Sequence, residues 1–133
     1  MYEDNTYRIL ELIDGMLDSI AVIQTRTAHI ESANDFLLSP DNMFVLDGVC
    51  MKLIFIGESI KTIDRLSKGE LFPLFSSIPW RDIMKLRDVI AHHYFKIDAD
   101  IVFSTIKEDL IPLNKVLIQI KDYLKTHPLE CKS

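Results

Sequence analysis

The chain has 133 residues, of which 48% are hydrophobic, with only four glycines and five prolines. That length fits one domain spanning 1–133, and the mix excludes a disordered or fibrous chain. A net charge of −5 argues against a protein that coats nucleic acid over its whole surface.

Residues 4–30 read as one long helix. Ile9, Leu12/Ile13, Met16/Leu17, Ile20 and Ile23 recur at the three-four spacing of a single apolar stripe. The acidic start, Met1-Tyr-Glu-Asp-Asn5, lacks the basic and apolar regions of a signal peptide. Ser32 can cap a short helix through Leu38, with Asp35 favouring its first turn. Ser39-Pro40-Asp41 then stops one element and starts the next.

The second predicted helix spans 41–67. Val45, Val49, Leu53, Ile56, Ile60 and Ile63 form one stripe, while Cys50, Met51, Ile54 and Phe55 fill much of the remaining surface. A helix apolar on most sides must be covered on most sides, either at the centre of a bundle or at a subunit interface. Lys68-Gly69 ends it, and residues 69–79, with Pro73 and Pro79, form a loop with room for one helical turn. A third helix runs from Trp80 to about Phe95, with Trp80, Ile83/Met84, Arg87, Ile90/Ala91 and Tyr94 along one face. A fourth starts at Asp98 or Asp100. Val102, Ile106, Leu110, Leu113, Leu117, Ile120 and Leu124 make its seam, and Pro112 predicts a kink near its middle. Residues 126–133 read as a flexible tail.

The pattern predicts an all-α, antiparallel four-helix bundle. Its longest apolar run, Val49 to Gly57, is broken by Lys52 and falls far short of the ~20 residues that span a bilayer. No membrane association is expected. Cys50 and Cys131 follow no disulfide or metal-ligand spacing, which suits a reducing cytoplasm.

The charge is unevenly spread. Residues 1–60 carry three basic and ten acidic side chains, and residues 97–133 carry five and six. Residues 61–96 carry seven basic and four acidic, a local net of +3. This basic third surrounds Arg87-Asp-Val-Ile-Ala-His92-His93-Tyr94. Arginine is a permanent cation shaped for phosphate, and histidine moves protons near neutral pH. Together with a tyrosine hydroxyl they suit cleavage of an RNA backbone without a metal ion. His92 can transfer the proton of the attacking 2′-hydroxyl, typically worth ~10²–10⁴ in rate. Arg87 suits the phosphate as a two-pronged donor, and Tyr94 suits orientation of the substrate.

At about 100° per residue, Arg87 and Tyr94 share a helical face, whereas His92 lies well round the cylinder. A second copy across a two-fold axis would bring two Arg/His sets into one cleft. The negative helix end and Asp88, one turn earlier, favour the protonated imidazole. His93 points elsewhere than His92, and the two neighbours cannot face one metal ion. Glu58, after Gly57 in the apolar second helix, stands out as a charge in an apolar setting. It reads either as a partner for an arginine or helix N-terminus, or as a group that orients Arg87.

The segment Ile78-Pro-Trp-Arg-Asp-Ile-Met-Lys-Leu-Arg-Asp-Val-Ile-Ala-His-His-Tyr-Phe95 resembles the signature of HepT-like proteins in the HEPN superfamily. That signature has a Pro-Trp helix start followed by Arg-x4-His-x-Tyr. Leu53-Ile-Phe-Ile-Gly-Glu58-Ser resembles the family's block in the second helix. Asp98-Ala-Asp-Ile-Val-Phe and Asp109-Leu-Ile-Pro-Leu resemble its last helix. The resemblance implies a homodimeric HEPN bundle with a ribonuclease site in the cleft between subunits. It further implies a toxin of a type VII toxin–antitoxin pair, neutralised by a minimal nucleotidyltransferase that transfers AMP from ATP to the motif tyrosine. Carried across residue by residue, Arg87 and His92 are catalytic and Tyr94 is the modification site. Asp88 and Glu58 are candidate supporting residues on their own chemistry, not by this transfer, and neither metal nor cofactor is implied. One position departs from the pattern: Asp88 stands where the family often has asparagine. Its carboxylate would repel RNA phosphate or pair with Arg87 or His92. Together with the overall acidity, it leaves a second class of function open. This is a non-catalytic HEPN module that dimerises and binds a nucleotidyltransferase or nucleotide.

Overall fold

The computed structural model describes residues 2–92 and 98–129, with side chains for 5–90 and 98–129. Every regular element among them is helical: α1 (Tyr2–Arg26), α2 (Pro40–Leu66), α3 (Trp80–Met84), α4 (Leu86–His92), α5 (Ala99–Ser104) and α6 (Leu110–Thr126). Short 3-10 turns cover Ala33–Leu37 and Phe72–Phe75, and a π turn covers Thr105–Asp109.

The apolar stripes become the core. Ile9, Ile13, Met16, Ile20 and Ile23 of α1 are at most 1% exposed, and Leu53, Ile56, Ile60 and Ile63 of α2 are fully buried. Leu110, Leu113, Leu117, Ile120 and Leu124 of α6 complete the same cluster. Each such side chain contributes about 1.5–3 kcal/mol when removed from water. α1 packs on α2 and α6, and α2 packs on α3 and α4. α1 and α2 run antiparallel, since Phe55 lies against Gly15 while Asn42 hydrogen-bonds His29. α1 and α6 are also antiparallel. Lys121 pairs with Asp14 at 2.6 Å, and the Leu129 N–H donates to Thr6 Oγ1 at 3.2 Å.

Local chemistry sets the element ends. α1 stops four residues short of its predicted end. The Thr27 hydroxyl takes the Ile23 carbonyl at 2.7 Å and the chain turns, with Ile30 N–H reaching Thr27 O. Between α1 and α2, the Asp35 carboxylate accepts from the N–H groups of Glu31 (2.8 Å) and Ser32 (3.2 Å). These bonds, Glu31's first, hold its carboxyl below the usual range. Ser39 Oγ accepts from Asn42 N–H at 3.0 Å and Pro40 opens α2, as their order predicts. Lys68 and Gly69, both at positive φ, turn the chain out of α2.

Two predicted helices are not continuous. The third breaks at Lys85 into α3 and α4, and its end beyond His92 lies outside the described residues. α3 is anchored by the Phe72–Trp80 stack, with centroids 4.0 Å apart, and by Trp80 Nε1–H donating to Phe75 O at 2.9 Å. After the break, Leu86 and Ile90 are buried while Arg87 is exposed. Arg87 therefore does not share the face of Trp80 and Ile83 that continuous spacing predicts. In the fourth predicted helix the irregularity precedes Pro112. Proline has no N–H for the Glu108 carbonyl, and the backbone widens ahead of it, with Leu110 N–H bonding Thr105 O. Asp98 caps α5 through its Oδ1, which accepts from Asp100 N–H at 2.9 Å. Residues 127–129 stay docked: His127 stacks on Tyr123 and Leu129 packs on the core.

No helix among the described residues is long and apolar enough to cross a membrane.

Candidate functional site

Of the residues singled out in the sequence, the structure brings Arg87 and Glu58 together. Arg87 occupies the first turn of α4, two residues after the break. Glu58 lies on α2, one residue after Gly57. An ideal Cβ on Gly57 would meet the Ile83 carbonyl oxygen at 3.0 Å and the Arg87 amide nitrogen at 3.7 Å. Only a residue without a side chain lets α2 approach the α3–α4 break this closely. That approach delivers the next side chain, Glu58, to Arg87.

Arg87 Nε lies 3.1 Å from Glu58 Oε1. The contact is an ion pair and not an aligned hydrogen bond. Oε1 is itself buried and accepts no hydrogen bond among the described residues, although the Glu58 side chain as a whole is half-exposed. The Arg87 side chain is 55% exposed. Screening keeps such a pair worth little to stability, typically 0–1 kcal/mol by order of magnitude, about what partly exposed pairs contribute. Its importance is geometric, because it fixes one edge of a guanidinium that faces solvent.

Asp88 is exposed beside Arg87, whose carboxylate partner is Glu58. His92 is the last described residue of α4. The side chain of His92, and the whole of His93 and Tyr94, lie outside the described residues. Arg65, Lys68, Arg81 and Lys85 of the basic segment are all exposed.

A second feature adjoins the pair. α2 carries Phe44, Gly48, Met51, Phe55 and Glu58 at spacings of four and three, which places them on one face. That face points outward: Phe44 is 79% exposed, Met51 68% and Phe55 38%. Large apolar side chains in a row on the surface mark an interaction site. The apolar character of this helix predicts cover on most sides, at the centre of a bundle or at a subunit interface, and in the single chain Phe44 and Met51 are exposed. The role of Gly57 was not read from the sequence, although its place before the only acidic residue of an apolar stretch was the available signal.

The sequence profile of the family described as "Ribonuclease HepT-like" matches residues 16–120. The chain is 27% identical to a Methanocaldococcus jannaschii protein named as a gamma-glutamylcyclotransferase and candidate RNase. That match covers 84% of this chain and 47% of the relative. It is 31% identical to a protein of Thermococcus cleftensis named as a probable ribonuclease HepT, over 75% of this chain and 84% of the relative. A further M. jannaschii protein, named as a candidate RNase, is 30% identical over 65% of this chain and 84% of the relative. The chain thus spans about half of the first relative and most of the other two. No solved structure matches it. On the extent of these matches, the chain belongs to the HepT-like ribonuclease family.

Proposed function

We propose that this protein is a metal-independent ribonuclease, the toxin of a type VII toxin–antitoxin pair, silenced by AMP transfer to Tyr94. The observation that carries the reading is Arg87. In a chain of the HepT-like family, it is an exposed guanidinium held at one edge, and the terminal amino groups have no partner among the described residues.

The chemistry follows from the motif. A ribose 2′-hydroxyl gives its proton to His92, and its oxygen bonds to the adjacent phosphorus. The bond from phosphorus to the 5′-oxygen breaks, and that oxygen takes a proton from the imidazolium of the second copy. The products are a 2′,3′-cyclic phosphate and a 5′-hydroxyl. Arg87 binds the non-bridging oxygens, where charge builds up. The two histidines exchange roles on reset.

The site is a cleft between two subunits of a homodimer. The outward apolar face of α2 supports this arrangement, because it runs directly into Glu58 and its Arg87 partner. An isologous pairing along that face sets two Arg87–Glu58 pairs near one axis. The cognate minimal nucleotidyltransferase is the second partner, and the working compartment is the cytoplasm.

The test is cleavage of total RNA by the purified protein with and without a chelator. Arg87→Ala and His92→Ala should each abolish cutting while His93→Ala is milder. Cleavage that needs an added divalent ion overturns the metal-independent mechanism. RNA left intact, with a nucleotidyltransferase or nucleotide still bound, favours the non-catalytic module, to which Asp88 and the net charge of −5 point.

A further inference from the structure

Arg87 has two usable edges, and the structure occupies one of them. Glu58 Oε1 sits 3.1 Å from Nε, while among the described residues nothing takes the two terminal amino groups. Phosphate is gripped by two parallel N–H donors of a guanidinium. Among the described residues the end-on pair of donors therefore has no partner, and the side of the fork is tethered. An untethered arginine samples many rotamers and loses that freedom when it docks. A carboxylate that fixes one edge removes part of this loss before substrate arrives. Oε1 itself is buried, although both side chains are partly exposed to water.

The same carboxylate has an opposite effect on binding. RNA is drawn to a site by uncompensated positive charge. Glu58 offsets part of the charge of Arg87, on a chain already at net −5. The two effects act on different steps, positioning on turnover and compensation on affinity.

We propose that Glu58 is a positioning residue of the RNA-cleaving site. It holds Arg87 by its Nε edge so that the terminal amino groups meet the scissile phosphate, which raises turnover while lowering RNA affinity. Gly57 sets the distance, by letting α2 approach the α3–α4 break until the pair forms. The role rests on the ribonuclease reading above.

The experiment compares wild type, Glu58→Gln and Glu58→Asp on one RNA in two forms. An all-ribose RNA gives the single-turnover cleavage rate, and its 2′-O-methyl counterpart, which cannot cleave, gives affinity at several salt concentrations. Nitrogen-15 NMR follows the Arg87 Nε–H signal, identified by its loss in Arg87→Lys. Glu58→Gln should bind about two- to fivefold tighter, the scale of one partly exposed charge interaction. It should cut roughly ten- to a hundredfold more slowly, as expected when a reacting group is misplaced, and its Nε–H signal should shift toward that of a free arginine. Glu58→Asp should recover wild-type affinity and part of the rate. Binding and cleavage that fall together in Glu58→Gln would indicate a merely structural role and overturn the proposal. So would an unchanged rate beside an active wild type, or an unmoved Nε–H signal. A wild type that cuts no RNA removes the ribonuclease reading itself, and the turnover role of Glu58 with it. Thermal melts of each variant separate these outcomes from loss of fold, and Glu58→Asp carries the test if Glu58→Gln does not fold.

Discussion

Gly57 and Ile83 meet backbone to backbone, with the space of a missing Cβ only 3.0 Å from the Ile83 carbonyl oxygen. Neither partner can yield easily, since both are helix backbone, Gly57 in α2 and Ile83 in α3. Gly57→Ala should therefore behave as overpacking, despite alanine's better helix propensity. The expected destabilisation is about 1–3 kcal/mol, read from urea unfolding. Pushing α3–α4 away also lengthens the Arg87–Glu58 contact, so RNA cleavage should fall by more than the lost stability explains. A Gly57→Ala protein as stable and active as wild type would show that the close approach is dispensable.

The outward face of α2 predicts a symmetric dimer. Phe44→Glu or Met51→Glu should convert it to a monomer on light scattering at micromolar concentration. Both side chains are largely exposed in the single chain. Substitution should therefore change the stability of the monomer by no more than about 0.5 kcal/mol, the usual range for surface positions. Cleavage should disappear along with the dimer. A wild-type protein that is already monomeric would remove the shared cleft from the mechanism.

Tyr94 is expected to accept AMP from the cognate nucleotidyltransferase with ATP and magnesium. An added phosphate near Arg87 would compete with RNA for the guanidinium and repel the incoming backbone. The modified protein should neither bind nor cut RNA, and Tyr94→Phe should gain no mass. An adduct on Tyr7 or Tyr123, or a modified Tyr94 protein that cuts at full rate, would refute this.

Cys50 is buried in α2, and burial first, then the negative charge of Asp47, pushes its thiol up to about 11 from an ordinary 9.0. The folded state thus holds this proton more tightly than the unfolded chain. The associated stability is complete below about pH 9 and is lost as pH rises toward 11. At pH 8 the native thiol should resist iodoacetamide, and alkylation should track unfolding in urea. Rapid modification of Cys50 without unfolding would contradict its burial.

Much of this architecture is legible in local pattern. The stripes of α1, α2 and α6 follow from spacing. Ser39-Pro40 and Lys68-Gly69 mark the ends of α2 because capping and left-handed turns depend on a few adjacent residues. The break at Lys85 is not legible, since Trp80, Ile83, Met84, Arg87 and Ile90 keep an unbroken helical period. It accompanies the contact with Gly57, more than twenty residues away in the chain. Pro112 signals an irregularity but not its place, because the backbone widens upstream of the carbonyl that lacks a donor. Glu58 is conspicuous as a charge in an apolar helix. Its pairing with Arg87, among the seven basic residues of 61–96, is decided by the depth of helix approach, which no spacing encodes.

The bond from Leu129 N–H to Thr6 Oγ1 sets the two ends of the fold side by side. A short linker could join them, and the exposed turn at Lys68-Gly69 offers a place to reopen the chain. Such a circular permutant would keep every helix intact while reordering the sequence, so that the segment bearing Arg87 is made before the one bearing Glu58. A donor dye on one terminus and an acceptor on the other would report folding as high transfer, independently of any RNA.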